Sequence, residues 1–217
     1  MRQAGNDGMT TCPVRTILID YGGVLAEEGF REGLGAIARE TGLDLEKDVP
    51  EAYEMAWTTG LVLGKCDVAA FWQAFRRATG ITRDDAWLTD ACLSRFVLRP
   101  YMLDCIDRAR GAGVRTAILS DQCQWLETLD ARDGFFAHFD AVFNSYRYGV
   151  TKREAAFFQV ALKALDAAPE TTLFIDDAPR NVAMAASLGL KTILYREKSG
   201  FLADWAATCP DLGAPRV

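Results

Sequence analysis

The chain has a single histidine, His138, among its 217 residues. A Ser-His-Asp or Cys-His mechanism would have to be built on that one imidazole. It sits between aromatics in FFAHFD, where packing is the expected role. No apolar run is long enough to span a bilayer. The N-terminal MRQAGNDGMTTC lacks the apolar stretch of a secretory signal, and residues 1–13 read as a disordered tail. The six cysteines (Cys12, Cys66, Cys92, Cys105, Cys123 and Cys209) contain no CxxC pair. They are expected to be reduced core residues of a cytoplasmic protein, neither a zinc site nor a disulfide frame. An excess of basic residues is also missing: a net charge of -6 argues against nucleic acid as a partner. A small anionic ligand stays open, because one metal or cation inverts the field inside a cleft. No internal repeat or low-complexity segment interrupts the chain.

What is present begins at VRTILIDYGGVL, Val14 to Leu25. Five of the six residues from Val14 to Ile19 are apolar or β-branched, as in a strand buried on both faces. The strand ends at Asp20. Gly22 and Gly23 follow, where the backbone can turn and approach a ligand closely. From 26 to 99 the periodicity is helical. Leu34, Ile37 and Ala38 share a face, as do Tyr53, Ala56 and Trp57. Val68, Phe71, Trp72 and Phe75 form another stripe, with Asp67 placed as its cap, and Leu88, Cys92 and Phe96 follow Thr82-Arg83-Asp84. Four helices with short connections predict a bundle inserted after the first strand. Its aromatics are expected to be mostly core, with Phe30, Trp57 and Trp72 as candidates to face a ligand.

From Pro100 strand and helix alternate. A helix over 101–110 precedes the strand VRTAIL, which runs to Ser120, and the next helix carries Trp125, Leu126 and Leu129. A short strand, AVFNS, covers 141–145, and a helix follows Lys152. The strand TTLFID ends at Asp176, a helix runs from Pro179 to Gly189, and KTILY is the last strand. The alternation predicts a parallel sheet with helices on both faces. Right-handed crossovers then bring Asp20, Ser120, Lys152 and the pair Asp176-Asp177 to one edge, where open α/β sheets bind ligands. Singly, each has a plain reading as a cap, a solvated lysine or acids favoured at a helix N-terminus. Together their chemistry is complementary. Clustered carboxylates suit Mg²⁺, a hard cation that prefers oxygen. A metal, a lysine and a serine hydroxyl can neutralise and orient a phosphoryl group.

In that order these residues resemble the four motifs of the haloacid dehalogenase-like (HAD) hydrolase superfamily. IDYGGVL is similar to motif I, AILSD to motif II, GVTKREAAFF to motif III and FIDDAPRNVAMAASLG to motif IV. A response-regulator receiver uses the same residue types, but its acidic pair comes first in the chain. The resemblance implies an α/β, Rossmann-like parallel five-stranded sheet of order 5-4-1-2-3 with an inserted helical-bundle C1 cap. Residues 14–25 and 100–217 would be the core and 26–99 the cap. It implies Asp20 as the nucleophile that forms an aspartyl-phosphate, with Lys152 beside it. Ser120, Lys152, Gly22 and Gly23 would bind the phosphate. Mg²⁺ would be held by Asp20, the Gly22 carbonyl, Asp177 and, directly or through another ligand, Asp176, with Asn181 orienting the pair.

Three positions depart from the family pattern. Gly22 stands where most HAD phosphatases have a second aspartate that protonates the leaving group. Members with Gly here, of the DxGxV type, include some to which sugar-1-phosphate phosphatase activity is attributed. Either the leaving group is good, or another group such as Glu27 or Glu28 supplies the proton, or catalysis is weak. Plain surface is the commoner role of such glutamates. Asp121 replaces the usual Asn, and is electrostatically adverse unless it faces away or caps the next helix. Arg153 replaces the usual Pro, as a possible anion contact or a surface residue, and Thr151 beside it could tune the pocket. The expected function is a Mg²⁺-dependent phosphatase of a small phosphorylated metabolite, such as a sugar phosphate, acting as a monomer or homodimer without nucleic acid or membrane. The alternatives are a catalytically impaired binding or regulatory protein and a haloacid dehalogenase-type hydrolase.

Overall fold

The computed structural model describes residues 13–213. The expected tail, 1–13, lies outside the described residues except for Pro13, and Cys12 lies outside them too. Five strands form one parallel sheet: β1 (Thr16–Ile19), β2 (Arg115–Ser120), β3 (Ala141–Asn144), β4 (Thr172–Asp176) and β5 (Lys191–Leu194). The order is β3-β2-β1-β4-β5, the arrangement expected. All four residues of β1 are buried, since β1 is central and both its faces are covered. Ile17 and Ile19 join one apolar cluster, and Leu18 joins the other on the opposite face.

Helices α1 (Gly29–Thr41), α2 (Asp48–Thr58), α3 (Val68–Thr79) and α4 (Asp85–Leu93) separate β1 from the rest of the sheet in sequence. The expected Asp67 cap forms, its carboxylate accepting from the Ala70 N–H (2.7 Å), and Asp84, not foreseen in that role, caps α4 by accepting from the Trp87 N–H (2.8 Å). Phe71, Trp72 and Phe75 are buried in the bundle, as their stripe predicts. The chain leaves and re-enters the sheet domain along paired backbone: Glu27 donates to the Val97 carbonyl and Arg99 to that of Leu25, each at 2.9 Å.

The remaining helices are α5 (Pro100–Gly111), α6 (Trp125–Asp133), α7 (Ser145–Tyr148), α8 (Ala155–Ala164), α9 (Pro179–Ser187) and α10 (Lys198–Thr208). The side of the sheet that carries Ile17 and Ile19 packs apolar residues of α5, α6 and α10, among them Met102, Leu126 and Trp205. The other side packs Phe157 and Phe158 of α8 and Ala185 of α9. The sequence reading stops at the last strand and does not foresee α10. His138 also differs from expectation: it is partly exposed, with Nδ1 2.7 Å from Asp107 Oδ1. Cys66, Cys92, Cys105 and Cys123 are free thiols, and Cys92, Cys105, Cys123 and Cys209 are buried. Among the described residues no helix is long and apolar enough to cross a membrane.

Candidate active site

The carboxyl ends of β1, β2 and β4 deliver Asp20, Ser120 and the Asp176-Asp177 pair to one cleft, and the loop before α8 adds Lys152. Lys152 is 1 % exposed, an extreme burial for a lysine that requires partners. Its Nζ lies 2.7 Å from Asp20 Oδ2 and 2.7 Å from Asp176 Oδ2. Burial alone would strip the proton from this ammonium. The carboxylates of Asp176, Asp20 and Asp121 outweigh it and hold the lysine charged. Burial pushes the Asp20 carboxyl up, against the pull of Lys152 and with further upward pressure from Asp176 and Asp177.

Asp176 is saturated. Its Oδ1 accepts from the Ala178 N–H (2.8 Å) and its Oδ2 from Lys152, while Asn181 Nδ2 donates to both oxygens at 3.1 and 3.2 Å. Asn181 thereby fixes the orientation of the Asp176 carboxylate. Asp20, Asp176 and Asp177 offer carboxylate oxygens within 4.8 Å of one another. Asp177 is held up by burial and by Asp176. So many acids around one ammonium leave the floor short of positive charge, and a hard divalent cation is the ligand that such oxygens suit.

Gly22 lines the cleft, while Gly23 lies behind the Asp177 carboxylate. Gly23 has φ +79° and a Cβ there would stand 2.3 Å from Asp177 Oδ2, so only glycine fits. Asp121 neither faces away nor caps α6. It lines the cleft, and its Oδ1 accepts the Lys152 backbone N–H at 2.9 Å. Burial raises its pKa. Arg153 makes no contact with the floor: its Nη2 meets both Glu54 carboxylate oxygens at 2.8 and 2.9 Å, and its guanidinium lies 4.5 Å from the Trp57 ring centroid. It ties the loop before α8 to α2. Thr151 is buried beside it.

The bundle supplies the far wall, with Phe30, Tyr53 and Trp57 joined by Trp125 from α6. Trp72 is not among these residues. It is fully buried, with its Nε1 donating to Thr89 Oγ1 at 2.8 Å. Arg31, stacked 4.2 Å from the Tyr53 centroid, Gln122 and Arg180 also reach the cleft, and sequence reasoning missed all three. Only Arg180 had a signal, its place in the first turn of the helix after the acidic pair. Glu27 and Glu28 separate. Glu27 turns outward to Arg99 (2.7 Å), whereas Glu28 lines the cleft, and burial pushes its carboxyl up to about 7.

A family model described as haloacid dehalogenase-like hydrolase matches residues 14–189. "Acyl-CoA dehydrogenase family member 10" of Mus musculus is 33% identical over 98 residues, which is 43% of this chain and only 9% of that protein. A HAD family enzyme of Bacteroides thetaiotaomicron, solved in complex with magnesium and inorganic phosphate, superposes with a TM-score of 0.68 at 22% identity. That likeness covers 84% of this chain and 94% of the other. L-2-haloacid dehalogenase of Xanthobacter autotrophicus gives a TM-score of 0.62 at 21% identity, over 90% and 83% of the two chains. At these identities the structural likenesses bear on the fold alone. The match to the family model spans β1 to α9 and includes every residue of the cleft floor, and on it this chain belongs to the haloacid dehalogenase-like hydrolases.

Proposed function

We propose that this protein is a Mg²⁺-dependent phosphatase of a small phosphorylated metabolite, working through a phosphorylated Asp20. The observation that carries this reading is the buried Lys152 ammonium, 2.7 Å from both Asp20 and Asp176, in a cleft that also holds Ser120 and Asp177. An Asp20 oxygen attacks phosphorus, and the bond from phosphorus to the leaving oxygen breaks. Water then attacks phosphorus, which releases inorganic phosphate and restores the carboxylate. Lys152 and the Ser120 hydroxyl bind the phosphoryl oxygens, with the backbone at Gly22 alongside. Asp20, Asp177 and the Gly22 carbonyl would hold Mg²⁺, which offsets charge on the phosphoryl oxygens. Asp176, with both oxygens filled by donors, serves as an anchor for Lys152 and the loop. Residues 26–99 act as a cap whose aromatic wall takes the organic part of the substrate, such as a sugar ring. The free thiols of Cys66, Cys92, Cys105 and Cys123 fit a reduced, cytosolic setting.

Dehalogenation at carbon is the second reading, favoured by the likeness to L-2-haloacid dehalogenase. The three clustered carboxylates speak for the first, since attack at carbon has no use for a divalent cation. The test is phosphate release from anomeric, acyl and ordinary alkyl phosphates, with 2-haloacids in parallel, in Mg²⁺ and in EDTA. Metal-dependent phosphate release without halide release is the expected result. Halide release that EDTA leaves intact would establish the second reading.

Gly23→Ala tests the metal half separately. The new Cβ displaces Asp177, and left-handed backbone costs a non-glycine residue roughly 1–2 kcal/mol. Mg²⁺ affinity, read from the Mg²⁺ dependence of melting temperature, is expected to fall about 10–100-fold. Unchanged affinity would remove Asp177 from the ligand set.

A further inference from the structure

Expulsion of an alkoxide needs a proton at the moment the phosphorus–oxygen bond breaks, and the water that follows must lose one. The cleft and its floor hold six carboxyl groups, and five are committed, Glu54 among them through Arg153. Asp20 is the nucleophile, paired with Lys152 and accepting the Tyr21 N–H at 2.7 Å. Asp176 is saturated, Asp121 is held by the Lys152 backbone, and Asp177 stands in the metal cluster. The sixth is Glu28. It is the N-cap of α1, and its Oε2 accepts the Arg31 N–H at 2.6 Å. That bond fixes the carboxyl without consuming it. Oε1 makes no hydrogen bond within the described residues and faces the space over Gly22: a Cβ on residue 22 would stand 3.9 Å from it. The glycine leaves a vacancy two residues beyond the nucleophile, and a carboxyl from the start of α1 reaches into it.

We propose that Glu28 is the catalytic acid and base of this site, occupying the place that a side chain at position 22 would otherwise take. It rests on the phosphatase reading. As Asp20 forms its bond to phosphorus, the Glu28 carboxyl gives its proton to the departing oxygen, and the alcohol leaves neutral. The Glu28 carboxylate then takes a proton from the water that attacks phosphorus of phosphorylated Asp20. Inorganic phosphate departs, and both side chains return to their starting states. In the other arrangement, a site restricted to leaving groups that need no proton, Glu28 would serve as the cap of α1 alone and its Oε1 would have no role.

The test uses Glu28→Gln, whose amide oxygen can still accept the Arg31 N–H and so keeps the cap. Circular dichroism and melting temperature check the fold. Two substrates are followed in Mg²⁺: p-nitrophenyl phosphate, whose leaving group needs no proton, and an alkyl phosphate such as a sugar 6-phosphate. The variant should release p-nitrophenol in a burst stoichiometric with enzyme at near the wild-type rate, then turn over slowly because dephosphorylation lacks its base. On the alkyl phosphate both the burst and turnover should fall about 10²–10⁴-fold. A Cβ at position 22 meets only Phe96 Cε1 at 3.5 Å besides Glu28, an ordinary contact, so the backbone there has room for the Cβ of Gly22→Asp. Added to Glu28→Gln, it should recover at least about tenfold of the alkyl phosphate rate. Equal loss of burst rate on both substrates, no loss on either, or a double variant no better than the single one would each overturn the role of Glu28. Wild-type protein that gives no burst, and is indistinguishable from Asp20→Asn, would instead overturn the phosphatase reading beneath it.

Discussion

Lys152→Met costs the fold about 3–5 kcal/mol at neutral pH, the usual penalty for removing one partner of a buried ion pair. For a chain of this size that is a fall of roughly 10 °C or more in melting temperature. The cause is local. With the ammonium gone, Asp20 and Asp176 confront each other with no cation between them, in a pocket where each is less than a tenth exposed. The sign of the pH dependence follows. The pKa of Asp20 is already raised by burial, and loss of Lys152 raises it further. Native protein then binds a proton that the unfolded chain does not, so stability rises as pH falls. Thermal melts should show a deficit that is large at pH 8 and smaller at pH 5. A deficit that is equal at both values would mean that lost packing, rather than unpaired charge, is responsible. Phosphate release should fall by at least about 10²-fold, since the lost ammonium is also a donor to the transferring group.

Asp20→Asn behaves in the opposite way. Activity should drop at least about 10³-fold, because an amide is no nucleophile toward phosphorus. Stability should hold or improve. The amide oxygen can accept from Tyr21 or from Lys152 but not from both, and that loss is offset because the variant drops a charge that burial, Asp176 and Asp177 all disfavour. Lys152 keeps Asp176 as a partner. A site tuned for reaction carries such unfavourable charge at the expense of stability. Steady-state assays and melts on the same preparation check both halves. A melting temperature lowered as far as in Lys152→Met would show that Asp20 is a structural ion-pair partner first.

The sheet and the floor of the cleft were legible because one pattern carries both. β1, β2 and β4 are largely apolar runs that stop at a polar residue, and parallel topology gathers those stops. Motif resemblance supplied the strand order, which periodicity alone does not give. The walls were not legible in the same way. Trp57 and Trp72 belong to similar helical stripes, and only tertiary packing turns one to the cleft and seals the other against Thr89. Glu27 and Glu28 are neighbours of identical chemistry. The start of α1 decides between them: as N-cap, Glu28 turns inward, while Glu27 meets Arg99 across the paired linkers. Arg153 reads equally as an anion contact or a surface residue, because the sequence does not show that Glu54 and Trp57, about a hundred residues earlier, claim it. In α10, Phe201 and Trp205 are one turn apart and buried. Gly200 and two charged residues nearby blur that signal.

The measurement that bears most directly on the central claim does not require the substrate. Beryllium trifluoride mimics a phosphoryl group on an aspartate, and needs the nucleophile, the metal and the surrounding donors together. Melting temperature is measured with beryllium fluoride alone, with Mg²⁺ alone and with both, for wild-type protein and Asp20→Asn. The account predicts a rise of roughly 5–10 °C in wild type with both present, at about a hundredfold excess over Kd, and no such rise in Asp20→Asn. No rise in wild type, or the same rise in the variant, would contradict it.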